Sequence, residues 1–416
     1  MRRRSHDQVV QQGTPTLGGR RTGRRALSLG MLGMVAMLVL TACGPDVAKP
    51  YSHISPASPT ADDIQSLYKL VFWLALFVFI GVQFAIVYSA LRFRRNKPGP
   101  NRPPQVHGNS RLEIAWTVIP AVILLVILIP TITTMYAQND ALDDATLEVD
   151  VYGKQWWWEV HYGEDQAQGG ENLGVVTANE IVVPVGRNVV FNLYSNNVIH
   201  SFWVPRLSGK LDVVPGHENR LSITPTEAGT YYGECAEFCG TQHAWMRFTV
   251  VALEENEFYA WVNAQRAGNP AVLANVTDVP EGVTQAPQAF SLCLGCHAVN
   301  GVSQGGVTGL QAPAQYGPDL TNLACRESIA AGMLVNTEEN RAVWIDDPGA
   351  VKPGNYMADQ ITPGLIRDTY GEEGFNELMD YLSSLQPAGG CDNPGAAATP
   401  VASPVASPVS QATPAD

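Results

Sequence analysis

Two long apolar runs dominate the first third of the chain. Leu70–Leu91 contains no charge, and neither does Ile114–Tyr136. At 1.5 Å per residue each run exceeds the roughly 20 residues needed to cross the hydrocarbon. Neither shows the polar face that a soluble helix of that length carries. Both are predicted to span a membrane, as a hairpin over residues 64–137. Arg92, Arg94, Arg95, Lys97, Arg102 and Arg111 lie between them, with no acid until Glu113. The positive-inside rule keeps that loop in the cytoplasm and delivers everything after Gln138 to the exported face.

Beyond the hairpin the period changes from helical to alternating. Thr146–Tyr152, Glu180–Val185, Asn188–Tyr194, Arg220–Ile223 and Arg247–Val251 are short runs that alternate or are rich in β-branched residues. Gly and Pro separate them at turn positions. So many short strands in so little chain imply a sandwich or Greek-key barrel over residues 138–265. Gln155-Trp156-Trp157-Trp158 reads as part of a strand, whose side chains point to alternate faces and leave at least one indole exposed. Residues 266–284 are aperiodic and contain Gly268, Pro270, Pro280 and Gly282, which reads as a linker. About two dozen flexible residues, counted to Ala289, reach roughly 25–30 Å and hold a tethered module at high effective concentration. Residues 285–388 form that further module, and 389–416, with Val-Ala-Ser-Pro repeated, are a low-complexity tail.

The N-terminus adds a shorter apolar run, Leu27–Leu40, behind Arg20, Arg21, Arg24 and Arg25, the pattern of an export signal over residues 1–42. Leu40-Thr-Ala-Cys43-Gly resembles a bacterial lipobox, which implies cleavage before Cys43 and lipidation of its thiol, with 43–63 as an extracytoplasmic segment. An ordinary signal peptide or an uncleaved anchor is the alternative. The whole chain carries a formal charge of −13, and without residues 1–42 it carries −19. That excludes nucleic acid as a partner and allows a basic protein.

Chemistry concentrates in Cys235-Ala-Glu-Phe-Cys239-Gly-Thr-Gln-His243-Ala-Trp-Met246, with His200 upstream. Thiolate, thioether and imidazole together select copper. A pair of cysteines that can each bridge suggests two copper ions, with one imidazole for each. A disulfide or a zinc site is the usual use of CxxxC in an exported protein. A disulfide leaves His200, His243 and Met246 without a role, and zinc has little use for the methionine.

This block resembles the binuclear copper A (CuA) motif of subunit II of haem-copper cytochrome oxidases, H…C-x-E-x-C-G-x-x-H-x-x-M, at every position. The resemblance implies a cupredoxin barrel with Cys235 and Cys239 bridging and His200 and His243 terminal. It makes Met246 a weak axial ligand of one copper and the Glu237 backbone carbonyl that of the other. It implies a magnesium ion held by the Glu237 side chain at the boundary with subunit I. It places electron entry at Trp156, and Trp158 in the core. Leu112-Glu113-Ile-Ala-Trp116 is similar to the family's second span, where the glutamate lies at the mouth of a proton channel in subunit I; an interfacial carboxylate at a helix N-terminus is the alternative. Two positions depart from the family. Asn197 stands where an aspartate commonly helps capture a soluble basic cytochrome c, and His217 stands where an arginine is common, although Asp212 is kept.

Cys293-Leu-Gly-Cys296-His297 is the CxxCH of covalent haem c attachment, with His297 as the proximal ligand. If the module resembles an all-α class I cytochrome c, a later methionine completes the iron. Met357, in Lys352-Pro353-Gly354-Asn355-Tyr356-Met357, matches the K-P-G-x-x-M loop; Met333, after a run read as helical (Ser328–Gly332), is expected to pack. Arg326, Arg341, Lys352 and Arg367 are outnumbered by acids, so the exterior is expected to be acidic and suited to a basic upstream donor. Cys325 and Cys391 remain, as a disulfide or as free thiols. Taken together the chain resembles a multidomain membrane protein of the bacterial cell membrane: subunit II of a cytochrome c oxidase fused to a cytochrome c, working with subunit I and subunit III. Its function would be to pass electrons from haem c to CuA and on to haem a, while dioxygen reduction and proton pumping occur in subunit I. Subunit II of a CuA-containing nitric oxide reductase, or a membrane-tethered copper carrier, are the rival readings.

Overall fold

The computed structural model describes residues 51–94, 108–267, 284–299, 317–387 and 390–391. The expected signal segment with Cys43, most of the loop expected in the cytoplasm, and most of the expected linker and low-complexity tail lie outside the described residues.

Two helices form the hairpin, α1 (Pro59–Arg92) and α2 (Ser110–Asp140). Each outruns its uncharged stretch because capped polar turns extend it. Ser58 Oγ accepts from Ala61 N at the start of α1, with Pro59 in the first turn where its missing N–H costs nothing. Asn109 Oδ1 accepts from Arg111 N and Leu112 N at the start of α2, and Glu113 Oε1 accepts from Asn109 N in return. Their apolar side chains stand bare, Phe77 at 72% and Phe84 at 70% exposure. A surface of that kind is stable against lipid rather than water.

Residues 147–253 build the expected β-domain as two packed sheets. The first has β1 (Leu147–Lys154), β2 (Trp157–Asp165), β3 (Glu171–Asn172), β4 (Val176–Ala178), β6 (Val189–Ser195) and β9 (Asn219–Ile223). Their order is β3-β2-β1-β6-β9, with β4 also on β2. The second has β5 (Glu180–Pro184), β7 (His200–Trp203), β8 (Leu211–Val213), β10 (Gly229–Cys235) and β11 (Arg247–Leu253), in the order β5-β11-β10-β7-β8. Parallel pairing of β1 with β6 and of β5 with β11 requires connections that cross between the sheets. Between them Trp158, Phe191, Phe202 and Phe248 interlock, with Phe202 and Phe248 stacked at 4.5 Å and Trp158 edge-on to Phe202 at 5.6 Å. All four are buried, and each contributes about 1.5–3 kcal/mol by leaving water.

Both outer ends of the hairpin are tied to this domain. Ala57 N donates to Arg206 O and Thr226 N to Ala57 O, at 2.8 and 2.9 Å. Beyond α2, Asn188 Nδ2 donates to Ala141 O at 2.6 Å. A helix that the sequence pattern did not signal, α3 (Glu255–Arg266), closes the domain with Phe258, Trp261 and Val262 inward. Its Tyr259 hydroxyl joins Arg187 to the fully buried Asp165.

The described part of the C-terminal module is mostly helical, but not wholly so. A short 3-10 turn (Gln288–Leu292) precedes Cys293, and β12 (Ser328–Ile329) pairs with β13 (Leu334–Val335). Then come α4 (Glu338–Asp346), α5 (Pro348–Val351), α6 (Tyr356–Gln360) and α7 (Leu365–Ser384). Phe290, Ile366, Phe375, Leu378 and Leu382 are its core. Cys325 and Cys391, separated by 66 positions, form a disulfide, which resolves the open alternative in favour of the bond.

Three expectations are corrected. Ser328–Gly332 is a strand and a turn, not helix, because Ala330, Ala331 and Gly332 all take positive φ. Gln155-Trp156 is the two-residue turn between β1 and β2, so only Trp157 and Trp158 alternate on a strand. None of the three indoles is exposed: Trp158 is buried between the sheets, while Trp157 is buried and Trp156 half-buried where the C-terminal module covers this end of the sandwich.

Candidate metal centre

The ligand residues predicted from sequence meet at one end of the second sheet. His200 opens β7, Cys235 closes β10, and Cys239, His243 and Met246 lie on the loop that returns to β11. Backbone bonds hold the loop: Cys235 N to Met246 O at 3.0 Å, and Ala236 N to Ser201 O at 2.9 Å. The two sulfurs are 3.7 Å apart. Cys235 Sγ faces His200 Nδ1 at 3.9 Å, and Cys239 Sγ faces His243 Nδ1 at 3.8 Å. Met246 Sδ lies 3.8 Å from Cys239 Sγ, and the Glu237 carbonyl 3.2 Å from Cys235 Sγ. Each cysteine therefore has its own imidazole and its own weak donor. That pairwise arrangement fits two soft metal ions sharing both sulfurs and is too open for a disulfide, while His200, Cys235 and Cys239 also lie close enough to one another to hold a metal ion together.

The surroundings suit such ions. Hydrogen bonding from Cys239 holds the Cys235 thiol well below its ordinary range, and the same bond with burial pushes Cys239 up, so the pair surrenders its first proton easily. His200 Nε2 donates to Asn197 Oδ1 at 3.1 Å, which leaves Nδ1 free for a metal. Asn197, read from sequence as a lost docking carboxylate, thus orients the His200 ring. His200 also lies on Gly153, where a Cβ would come within 2.8 Å of its ring. The Glu237 and Phe238 side chains point outward, Phe238 with 74% exposure.

Trp156 lies directly over this loop. Its Nε1 donates to Cys239 O at 3.0 Å, and Gln155 Nε2 donates to the same carbonyl at 2.8 Å. Gly240 permits the approach: its φ is +121°, and a Cβ there would meet Trp156 at 3.0 Å. From the other side Tyr356 stacks on Trp156, with centroids 5.1 Å apart, and its hydroxyl reaches Gln155 Oε1 at 3.3 Å. Gln242 Nε2 donates to Pro353 O, and Lys352 Nζ to Trp245 O at 3.3 Å. The Lys352–Met357 loop is thus seated on the Cys235–Met246 loop rather than held at a distance by the linker. Gln155 and Lys352 were not recognised in the sequence as site residues; the only signals were a glutamine before the tryptophans and a lysine in the K-P-G loop.

Beneath that loop is a cavity into which Cys293, Cys296, His297 and Met357 all open; Met333 does not line it. His297 is half-buried, desolvation lowers its pKa, and its Nδ1 donates to Pro318 O at 2.7 Å. The other nitrogen is left for a metal. Gly317 is needed beside it, since a Cβ would strike the imidazole. Burial pushes the Cys293 thiol up to about 12. Two thiols, one imidazole and one thioether on an otherwise largely apolar wall fit a covalently held haem. Glu113 stays apart from both places, at the capped start of α2.

Comparison with known proteins was consistent with this geometry. Residues 147–253 match the family model "Cytochrome C oxidase subunit II, periplasmic domain", and residues 53–134 match "Cytochrome C oxidase subunit II, transmembrane domain". "Cytochrome c oxidase subunit 2" of Alkalihalophilus pseudofirmus is 38% identical over 375 residues, 88% of this chain and 98% of the relative. The protein of the same description from Bacillus sp. (strain PS3) is 37% identical, covering 86% and 96%. That of Bacillus subtilis is 32% identical, covering 84% and 95%.

Proposed function

Because the chain belongs to the cytochrome c oxidase subunit II family, part of an oxidoreductase complex in the membrane, we propose that it is the electron-receiving subunit of an oxidase and carries its own haem c beside a binuclear copper centre. His200, Cys235, Cys239, His243, Met246 and the Glu237 carbonyl would hold the copper pair. Cys293 and Cys296 would bind the haem covalently, and His297 and Met357 would hold its iron. When bound, these groups would supply one-electron storage, and the chain's residues would hold them so that electrons from an upstream donor could pass through this chain toward haem a in subunit I. The observation that carries the reading is the paired Cys–His geometry at 3.8–3.9 Å around sulfurs 3.7 Å apart.

The residues of the chain divide the work. A rigid sandwich holds the ligands so that their geometry changes little on gain of an electron. Asn197 fixes the His200 ring, and Pro318 O fixes the His297 ring. Stacked Tyr356 and Trp156, ending at Cys239 O, bridge the cavity and the copper loop, so Trp156 would receive electrons from within the chain. The bare Phe238 and the Glu237 side chain suit contact with subunit I, where Glu237 would also reach a magnesium ion. Subunit III as a further partner, Glu113 at a proton channel, and Cys43 as a lipid anchor rest on the resemblance alone. A basic donor suits the C-terminal module, whose exterior is more acidic than the sequence suggests, since Arg341 and Lys352 are buried.

The test is metal and haem analysis of the purified complex with electron paramagnetic resonance. Two coppers and one covalent haem per chain, with a seven-line mixed-valence signal, are expected; a single copper with a four-line signal would overturn the reading.

A further inference from the structure

Three cations line the cavity that holds Cys293 and His297, namely Arg326, Arg341 and Lys352, and among the described residues no carboxylate lines it. Two of them are balanced nearby. Arg326 donates to Asp319 O and feels the charges of Asp319 and Glu180; Arg341 bonds Asn336 Oδ1 and Ser383 Oγ and feels Glu338. Lys352 is different. It is only 4% exposed, it makes no ion pair among the described residues, and the one charge resolved beside it is the like charge of Arg247. Its ammonium has three N–H donors, of which two reach neutral carbonyls, Trp245 O at 3.3 Å and Ala330 O at 3.2 Å.

A cation taken out of water without a counter-charge keeps its desolvation penalty unrelieved. In the absence of one, burial and Arg247 push its pKa down to about 7. Lysine at such a place is explained if an anion arrives with the occupant. An apolar, acid-free cavity with an unmatched ammonium on its wall fits a flat apolar group that carries carboxylates, and a haem carries two.

We propose that Lys352 is the ion-pair partner of a haem carboxylate, using its unassigned N–H for that group while its bond to Trp245 O ties the same ammonium to the copper loop between His243 and Met246. The inference rests on the haem reading of the cavity. It makes the cofactor's anionic edge part of the contact between module and barrel, so that loading the cavity sets the seat of the Lys352–Met357 loop.

The test compares Lys352→Gln, Lys352→Met and Lys352→Arg in the full oxidase complex, reading haem c midpoint potential alongside haem and copper content. Removing a cation next to the haem favours the ferric state. The potential is therefore expected to shift down in K352Q and K352M, and to return in K352R. Glutamine can still donate to Trp245 O. A wild-type potential in K352Q would show that lysine serves only as a structural donor, and would overturn the proposal. The wild-type complex gives a second test that depends on no variant. With isotopically labelled haem carboxylates, redox difference infrared spectra should show one carboxylate shifted by ion pairing and sensitive to H–D exchange. Two solvent-like carboxylates would overturn the proposal. Absence of haem from the wild-type complex would instead defeat the functional reading itself, whereas full haem and copper with no effect of charge at Lys352 would defeat this inference alone.

Discussion

Tyr356 and Trp156, far apart along the chain, stack with their ring centroids 5.1 Å apart and their planes inclined by 21°. One belongs to the module that carries CxxCH and the other to the turn above the copper loop. The contact makes the C-terminal module the immediate neighbour of the residue through which electrons are expected to reach the copper. Replacing Tyr356 with leucine should slow haem-to-copper transfer several-fold in flash-initiated kinetics while leaving both spectra intact. Trp156→Leu should slow it further, since it also removes the Nε1–H that holds Cys239 O.

Cys235→Ser should convert the paired site into one that holds at most a single copper. Serine oxygen bridges soft metal poorly, and Cys239 would be left as the one thiolate of the set. Copper per chain should fall from two to one or none, and oxidase turnover with the natural donor should be lost. Unchanged turnover would remove the copper centre from the electron path.

Gly153→Ala places a methyl group 2.8 Å from the His200 ring. Overpacking of this kind costs about 1–3 kcal/mol. Here the displaced side chain is a proposed ligand, so the loss should appear as weakened copper retention during dialysis before it appears as a fall in melting temperature.

Glu180 is buried at the seam between barrel and module, where its Oε2 accepts from Glu327 N at 3.0 Å. Burial raises its pKa from 4.5 to about 7, against the lowering effect of that hydrogen bond. A carboxyl whose folded pKa is raised gives its full stability below its unfolded value, and that stability is lost as pH rises through the folded one. The seam should therefore loosen as pH rises from 4.5 to about 7, seen as faster amide exchange at Glu327. Glu180→Gln should flatten that dependence.

The Cys325–Cys391 bond closes a separation of 66 positions around the cavity. Cys391→Ser should lower the stability of the C-terminal module by about 2–4 kcal/mol. The copper domain's own unfolding transition should move far less, which calorimetry can resolve.

Much of the candidate metal site was legible because most of its residues are close in sequence: Cys235 to Met246 lie on one loop, and their residue types are those that favour copper. The hairpin was legible because uninterrupted apolar runs have one cheap solution. What stayed hidden was long-range. Lys352 looks like any surface lysine until the fold seats it against Trp245. Asn197 looks like a missing charge until His200 is placed just beyond it. One of the three indoles was expected to be exposed because strand alternation says nothing of a module arriving from far downstream. Ser328–Gly332 looked helical because alanine favours helix, yet the turn conformation took over where the chain meets Arg247, whose N donates to Ala331 O.

The ties at Ala57 and at Asn188 fasten the barrel to the hairpin at two points, one beyond each helix. A body hung from a single strap can swing and spin; one hung from two keeps its heading, so the height of the redox end over the bilayer is built into the chain itself. A water-soluble fragment beginning after Gln138 would lose one strap and leave Arg206 O and Thr226 N without their partner. The convenient truncated sample would then differ from the intact subunit on the flank that Ala57 covers.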